Sequence, residues 1–179
     1  MRAFLYLMTA LLVATAAVAQ TRPVAKPVAK PAAASNAPKR IGRFEDWQAA
    51  THVEAGQTVC YAFTPAQSSV PATGGRGDVN LTVTQRPQAV RDAVALSAGF
   101  VFAPNSSVAV LTDNVAMDFY TAQRSAFSRD GHASVLAFMK ARQVVAKSPA
   151  PKGGTVTDTF SLKGFSAAYA AINKACPAK

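Results

Sequence analysis

Strict alternation of apolar and polar residues is the clearest pattern in this chain. Over residues 79–84, Val, Leu and Val share one side of an extended chain, and Asn and two Thr residues share the other. A two-residue period predicts a strand with one buried face, which is typical of antiparallel sheets. Related patterns predict strands over residues 91–99, 107–112 and 115–120. The intervening pair Asp113-Asn114 suits a hairpin link because both residues tolerate positive φ.

A helical period of three to four residues replaces the alternation in two later segments. Residues 131–141 carry a partly apolar face and follow Asp130, a residue type that caps helices. The C-terminal segment has a continuous apolar helical face that ends at Cys176. Between these helices, residues 142–147 and 155–162 are separated by prolines and glycines, which predicts a hairpin.

Together these elements predict a mainly β fold. We expect an antiparallel β-sandwich of about seven to nine strands, a short helix near residues 131–141 and a C-terminal helix packed on the sheet. The chain offers too few crossover helices for a parallel α/β sheet. Trp47, the only tryptophan, is expected in the core because large aromatic rings dominate burial.

The two cysteines of the chain are predicted to form a disulfide. Cys60 lies in an apolar run that predicts a strand, and Cys176 lies on the apolar face of the last helix. An exported chain with two cysteines most simply joins them, which would fix the last helix onto the Cys60 strand. Redox catalysis is the alternative, but a Cys-x-x-Cys motif is absent, and a helix C-terminus disfavours a thiolate.

The first forty residues have the composition of a targeting segment followed by a linker. Residues 1–19 are apolar and end in Ala-Val-Ala, which predicts a cleavable signal peptide rather than a membrane anchor. Residues 20–40 repeat Pro-Val-Ala-Lys, which predicts a flexible, solvated linker. Residues 41–179 then form one domain. The expected location is periplasmic, secreted or associated with the outer surface, with no integral membrane span in the mature form.

The formal net charge of +10 belongs largely to the predicted linker. Five of the 19 basic residues lie there, and the 13 basic and nine acidic residues after residue 40 leave the domain at +4. A basic, flexible segment outside the cytoplasm favours an anionic cell-envelope component as partner, or serves as a passive spacer. Nucleic acid is not expected, because aromatic residues do not interleave with the basic ones.

Three features of the domain are candidates for binding or for a buried charge. Residues 68–78 are rich in Gly, Pro and Ser, which predicts an exposed loop. Within it, Arg76-Gly77-Asp78 matches the tripeptide that integrins recognise, although so short a match arises easily by chance. Arg86 lies near a turn, where binding residues are often found. It is a candidate binding residue, and the alternative is an exposed arginine that contacts only solvent. Asp158 would share a strand face with apolar residues, so it needs a structural partner or acts as a pocket carboxylate.

Motifs for catalysis or metal binding are absent from the sequence. His52 and His132 are 80 positions apart without a ligand cluster beside either, and Gly-x-Ser-x-Gly and phosphate-binding glycine patterns do not occur. We therefore expect a non-enzymatic protein with no catalytic residue, cofactor or metal. The alternative is a periplasmic hydrolase with an unconventional site around Asp158 or His52.

Short motifs distributed over residues 44–177 support a family resemblance. They are Asp46-Trp47, Val59-Cys60-Tyr61, Ser68-Ser69, Gln85-Arg86-Pro87, Asp158-Thr159-Phe160-Ser161-Leu162, Gly164-Phe165 and Ala175-Cys176-Pro177. Together they resemble the invasion-associated locus B family of exported bacterial proteins. One position departs, because many relatives have Phe-Gly-Asp-Trp where this chain has Phe-Glu-Asp-Trp. The resemblance implies an exported, largely β domain with an envelope or host-surface partner, linked in some pathogenic members to host-cell association and stress survival.

Overall fold

The structure is a computed structural model that describes residues 37–87 and 90–178. Within these ranges the chain forms eleven strands and two helices. The strands are β1 (Lys39–Phe44), β2 (Trp47–Glu54), β3 (Gln57–Pro65), β4 (Ser68–Val70), β5 (Asn80–Gln85), β6 (Ala93–Ser97), β7 (Ser107–Leu111), β8 (Ala116–Ala122), β9 (Ser125–Ser128), β10 (Gln143–Pro149) and β11 (Thr155–Ser161). The helices are α1 (Gly131–Met139) and α2 (Phe165–Ala175).

All eleven described strands belong to one antiparallel sheet, in the order β1-β2-β3-β5-β6-β9-β8-β7-β10-β11-β4. The predicted mainly β, antiparallel fold with two helices is therefore confirmed. The strand count exceeds the expected seven to nine because some strands give no clear alternation. β4 and β9 have only three and four residues, and a register shift interrupts β1. Residues 68–70, expected within an exposed loop, form β4 instead.

The sheet curls until its distant strands meet around a single core. Only Ala66 and Gln67 connect β3 with β4, although β4 lies at the far edge of the sheet order. The Nε1 atom of Trp47 in β2 donates to the carbonyl oxygen of Ser161 in β11 at 2.9 Å. Trp47 is fully buried, as expected, and β5 shows how alternation builds the core: Leu81 is buried while Thr82 is half exposed.

A disulfide between Cys60 of β3 and Cys176 at the end of α2 fixes the last helix on the sheet, which confirms the predicted pairing. The beginning of α2 is held by close backbone contact. Gly164 precedes the helix with a φ of +86°, and a Cβ atom there would overlap the carbonyl oxygen of Phe44. Glycine is required at this position both for its conformation and for the close approach.

The N-terminal predictions lie mostly outside the described residues. The predicted signal peptide, residues 1–19, and residues 20–36 of the predicted linker belong to this part. The last two residues of that linker, Lys39 and Arg40, pair with β2 as the beginning of β1. In residues 37–87 and 90–178, neither helix has the length and apolar composition needed to cross a membrane.

Candidate functional site

The outward faces of β2, β3 and β5 bring aromatic side chains together. Tyr61 and Phe63 are two positions apart on β3, so they point to the same side of the sheet, away from buried Cys60 and Ala62. Their ring centroids are 5.8 Å apart, with an angle of 29° between the ring planes. His52 of β2 meets Tyr61 edge-on, with ring centroids 5.3 Å apart.

These rings form one side of an open groove of about 470 Å³. The antiparallel register places Thr84 opposite Tyr61 and Thr82 opposite Phe63. Asn80 of β5 and Pro38, just before β1, complete the lining. The groove is therefore built on three hydrogen-bonded strands of the sheet rather than on loops, and its shape is fixed by the sheet.

The polar groups of this groove are not used within the domain. In the part of the chain that the structure describes, the hydroxyl groups of Tyr61, Thr82 and Thr84 and the amide of Asn80 make no side-chain hydrogen bond to protein atoms. They are half exposed, so water or a ligand can satisfy them. The groove thus combines ring faces with free donors and acceptors.

The far rim of the groove carries a surface ion pair. The Nη2 atom of Arg86 lies 3.0 Å from the Oε2 atom of Glu54, and His52 Nε2 lies 3.9 Å from the same oxygen. Both partners of the Arg86–Glu54 pair are partly exposed, with 36% and 49% of the side chains accessible. Arg86, a predicted binding residue, therefore lies beside the groove and forms a solvent-exposed ion pair with Glu54.

Arg76 and Asp158 form a buried ion pair at the other end of the sheet, where Asp158 lies on β11 beside the edge strand β4. Arg76 donates from Nη1 to Oδ1 at 2.7 Å and from Nη2 to Oδ2 at 2.6 Å. Ser69 Oγ also donates to Oδ1 at 2.6 Å, and the guanidinium lies over the ring of Phe100. The side chains of Arg76 and Asp158 are 5% and 0% exposed. Asp158 thus has a basic side chain as its structural partner.

This burial corrects the expectation that Arg76 belongs to an exposed recognition tripeptide. Gly77 and Asp78 are exposed, but the Arg76 side chain points inward, where its Nε atom also donates to the carbonyl oxygen of Ala98 at 2.5 Å. A receptor that reads the tripeptide needs both charged side chains at once. The sequence pattern could not reveal the burial because the partner is 82 residues away.

A second buried carboxylate, Asp92, lies where β6 meets the two helices. Tyr169 of α2 donates to Oδ1 at 2.6 Å, and Gln85 Nε2 donates to the same oxygen at 2.5 Å. The Nδ1 atom of His132 in α1 lies 2.9 Å from Oδ2. Sequence reasoning missed this cluster because His132 and Tyr169 are 40 and 77 residues away from Asp92 along the chain. Asp92 also has a left-handed backbone conformation, with a φ of +53°, which the sequence did not indicate.

The hydrogen bonds set the ionisation of this cluster. Burial alone would raise the pKa of Asp92, but the hydrogen bonds from Tyr169, His132 and Gln85 outweigh it and hold the pKa below its ordinary value of 3.8. Burial, together with the hydrogen bond to Asp92, raises the pKa of Tyr169 above its ordinary value of 10.0. The cluster therefore holds an ionised carboxylate at neutral pH. In residues 37–87 and 90–178, no three His, Cys, Asp or Glu side chains are grouped to hold a metal ion.

Comparison with solved structures shows a similarity to the crystal structure of invasion associated protein B from Bartonella henselae. The two chains have 14% sequence identity and a TM-score of 0.55, and the match covers 75% of this chain and 96% of that chain. No family model matches the chain, and no curated protein matches it. At this identity the similarity shows a shared fold, which supports the resemblance inferred from the sequence at the level of the fold.

Proposed function

We propose that this chain is an exported, non-enzymatic binding domain of the cell envelope or cell surface, and that the groove on β2, β3 and β5 holds its partner. The observation that carries the proposal is the groove itself. Tyr61 and Phe63 present ring surface to solvent, and the hydroxyl groups of Thr82 and Thr84 beside them have no partner in the described chain. Exposed aromatic rings with unpaired polar groups are typical of binding surfaces.

The scaffold beneath the groove is suited to recognition by a preformed surface. Cys60, which lies between Tyr61 and Val59 on β3, is bonded to Cys176, so the strand that carries the rings is covalently tied to α2. A rigid strand loses little conformational entropy when a ligand binds. The disulfide also fits the export that the N-terminal sequence predicts, because such bonds persist in oxidising compartments.

The charged groups of the domain favour binding over hydrolysis. Both oxygens of Asp158 accept hydrogen bonds from Arg76, so this carboxylate is neutralised and enclosed. His52 lies beside Glu54 at 3.9 Å, on the rim of an open groove. Among the described residues, His132 forms its side-chain hydrogen bond with Asp92, and no hydroxyl or thiol is bonded to its ring. A nucleophile–base pair of the kind a hydrolase uses is therefore not assembled at these residues.

Two further features support a place in the envelope or at the cell surface. The fold is similar to that of invasion associated protein B from Bartonella henselae, a protein whose name places it in association with invasion. The predicted linker carries five basic residues, which favours attraction to anionic envelope material in addition to the groove. In this proposal the linker concentrates the domain near the envelope, and the groove binds a specific partner. That binding supports association with the envelope or host surface, or survival under stress.

The test compares retention of the full chain on isolated cell envelopes and on host cells. Tyr61→Ala/Phe63→Ala is the groove variant. Leu136→Ala/Met139→Ala is its control, because these two side chains are exposed and apolar and lie on α1, outside the groove lining. We expect the groove variant to lose retention after a high-salt wash, which removes contacts of the linker, while the control behaves like the parent. Equal retention of all three proteins would reject the groove as the binding site.

A further inference from the structure

We infer that the ligand of the groove is an uncharged glycan chain; this inference rests on the proposed function, namely that the groove is a binding site. The first observation is the distribution of charge. β3, β5, β6 and β9 are neighbours in the sheet, and none of them contains an acidic or basic residue. In a domain with 13 basic and nine acidic residues, an uncharged surface across four neighbouring strands is a marked local exception.

This charge pattern selects against an anionic ligand at the groove. A phosphate or carboxylate is normally held by Arg or Lys, and the groove lining contains neither. The guanidinium of Arg86 on the rim is already paired, with its Nη2 atom 3.0 Å from Oε2 of Glu54. A ligand without charge therefore matches the electrostatics of the surface, whereas an anionic one would be drawn to the basic N-terminal segment instead.

The groove lining offers complementary groups for both the C–H face and the hydroxyl groups of a sugar ring. The stacked rings of Tyr61 and Phe63 offer apolar faces on which the C–H side of a sugar can pack. The hydroxyl groups of Tyr61, Thr82 and Thr84 and the amide of Asn80 provide both donors and acceptors for sugar hydroxyl groups. Asn80, Thr82 and Thr84 lie on the strand next to the rings, since Thr84 pairs with Tyr61 and Thr82 with Phe63.

The size of the groove favours a few sugar units over a protein partner. A volume of about 470 Å³ lies within the range of about 300–1,000 Å³ typical of small-ligand sites. A stable protein interface needs about 800 Å² and about 20–30 residues from each partner, whereas seven residues line the groove. The small side chains of Ala93 and Ala95, next to β5 on its outward face, continue the surface without obstructing a longer chain.

The experiment measures binding of the oxidised full chain to soluble polysaccharides by affinity gel electrophoresis. The neutral probes are dextran, a linear β-glucan and a mannan, and the charged comparison is polygalacturonate. We expect at least one neutral polysaccharide to retard the parent and the Leu136→Ala/Met139→Ala control equally, with no dependence on salt. Tyr61→Ala/Phe63→Ala should weaken binding by about tenfold or more, as loss of a central aromatic anchor does.

A second variant separates hydrogen bonding from the shape of the groove. Thr82→Val/Thr84→Val keeps the volume of both side chains and removes two hydroxyl groups, so it should weaken glycan binding while its thermal unfolding stays close to that of the parent. Retardation by polygalacturonate alone, abolished by salt, would overturn the inference. Absence of retardation by every neutral probe would overturn it as well. In that case, groove-dependent retention on envelopes that protease treatment removes would identify a protein partner and leave the proposed function standing; equal retention of the groove variant would reject both.

Discussion

At the scale of single residues, Arg76 and Asp158 show how the domain accommodates charge in its interior. Asp158 lies on β11 among buried residues, and its two oxygens receive three hydrogen bonds from Arg76 and Ser69. The two-pronged geometry of the guanidinium matches the carboxylate, so neither charge is left without a partner. Removing one member therefore costs more than the pair contributes to stability, because the remaining charge is buried.

We predict that Asp158→Leu and Arg76→Met each lower the free energy of unfolding by about 3–5 kcal/mol, the cost of leaving one charge buried without its partner. The double variant Arg76→Met/Asp158→Leu should be less destabilised than either single variant. Urea denaturation of the oxidised protein measures all three. Arg86→Met, which breaks the exposed pair with Glu54, is the control and should cost at most about 1 kcal/mol. Additive single effects in the double variant would contradict the interpretation of a coupled buried pair.

At the scale of secondary-structure elements, the Asp92 cluster joins both helices to the sheet. Asp92 precedes β6, Gln85 ends β5, His132 belongs to α1 and Tyr169 belongs to α2. Hydrogen bonds to one carboxylate therefore connect the consecutive strands β5 and β6 with α1 and α2, which lie 40 and 77 residues further along the chain. Gly131 allows this approach, because a Cβ atom at its position would overlap the carbonyl oxygen of Asp92. The Asp92 carboxylate therefore bridges His132 of α1 and Tyr169 of α2, beside the direct ring contact of Phe138 with Phe165.

We predict that acid weakens the domain through this cluster. The pKa of Asp92 is held below 3.8 in the folded state, so the native carboxylate binds fewer protons than the unfolded one. Its contribution to stability is present above the unfolded pKa and is lost as the pH falls through 3.8 and then through the folded pKa. Between pH 6 and pH 3, the unfolding free energy of Asp92→Asn should fall less than that of the parent. The difference should correspond to the titration of about one carboxyl group.

Tyr169→Phe gives an independent check, since Tyr169 supplies the leading hydrogen bond that lowers the pKa of Asp92. This variant should show an intermediate dependence of unfolding free energy on pH, measured by urea denaturation at each pH. Asp118→Asn changes an exposed carboxylate of β8 and is the control for general charge effects. Identical pH profiles for the parent and Asp92→Asn would contradict the role of this carboxylate.

At the scale of the whole molecule, the disulfide closes the chain on itself. Cys60 and Cys176 are separated by 116 residues, so the bond encloses most of the described domain. The C-terminus of α2 has a second attachment, because Arg91 donates to the carbonyl oxygen of Cys176 at 2.7 Å and to Asn173 Oδ1 at 2.5 Å. The helix is thus held both covalently and by hydrogen bonds at the same end.

We predict that Cys60→Ala/Cys176→Ala lowers the free energy of unfolding by up to about 4.7 kcal/mol, the loop-closure entropy expected for a loop of about 100 residues. Because Arg91 still holds the helix end, the variant should retain the helical circular dichroism of α2 under native conditions. Arg91→Ala should then cost more stability without the disulfide than with it, since both contacts restrain the same segment. Denaturant titrations of the four proteins measure this, and equal effects of Arg91→Ala in both backgrounds would contradict shared restraint.

Local periodicity determined much of this protein from the sequence alone. Alternation predicted β5 and β6, the hairpin of β7 and β8, and the hairpin of β10 and β11, while the three-to-four spacing predicted α1 and α2. Asp130 caps α1 through a hydrogen bond from the Ala133 amide, and the two cysteines are bonded. These features are readable because burial repeats with the period of each element, and because a pair of cysteines leaves one possible intramolecular bond.

Tertiary structure alone decided the sheet order, the inward turn of Arg76, the Asp92 cluster and the groove. Tyr61 and Thr84 become neighbours only when β3 and β5 pair in one particular register. Asp92 and Tyr169 meet only after α2 has packed on the sheet. Each of these contacts joins residues distant in sequence, so it depends on strand pairing and on closure of the whole sheet. A local pattern reports which face of an element is buried, but not what that face will meet.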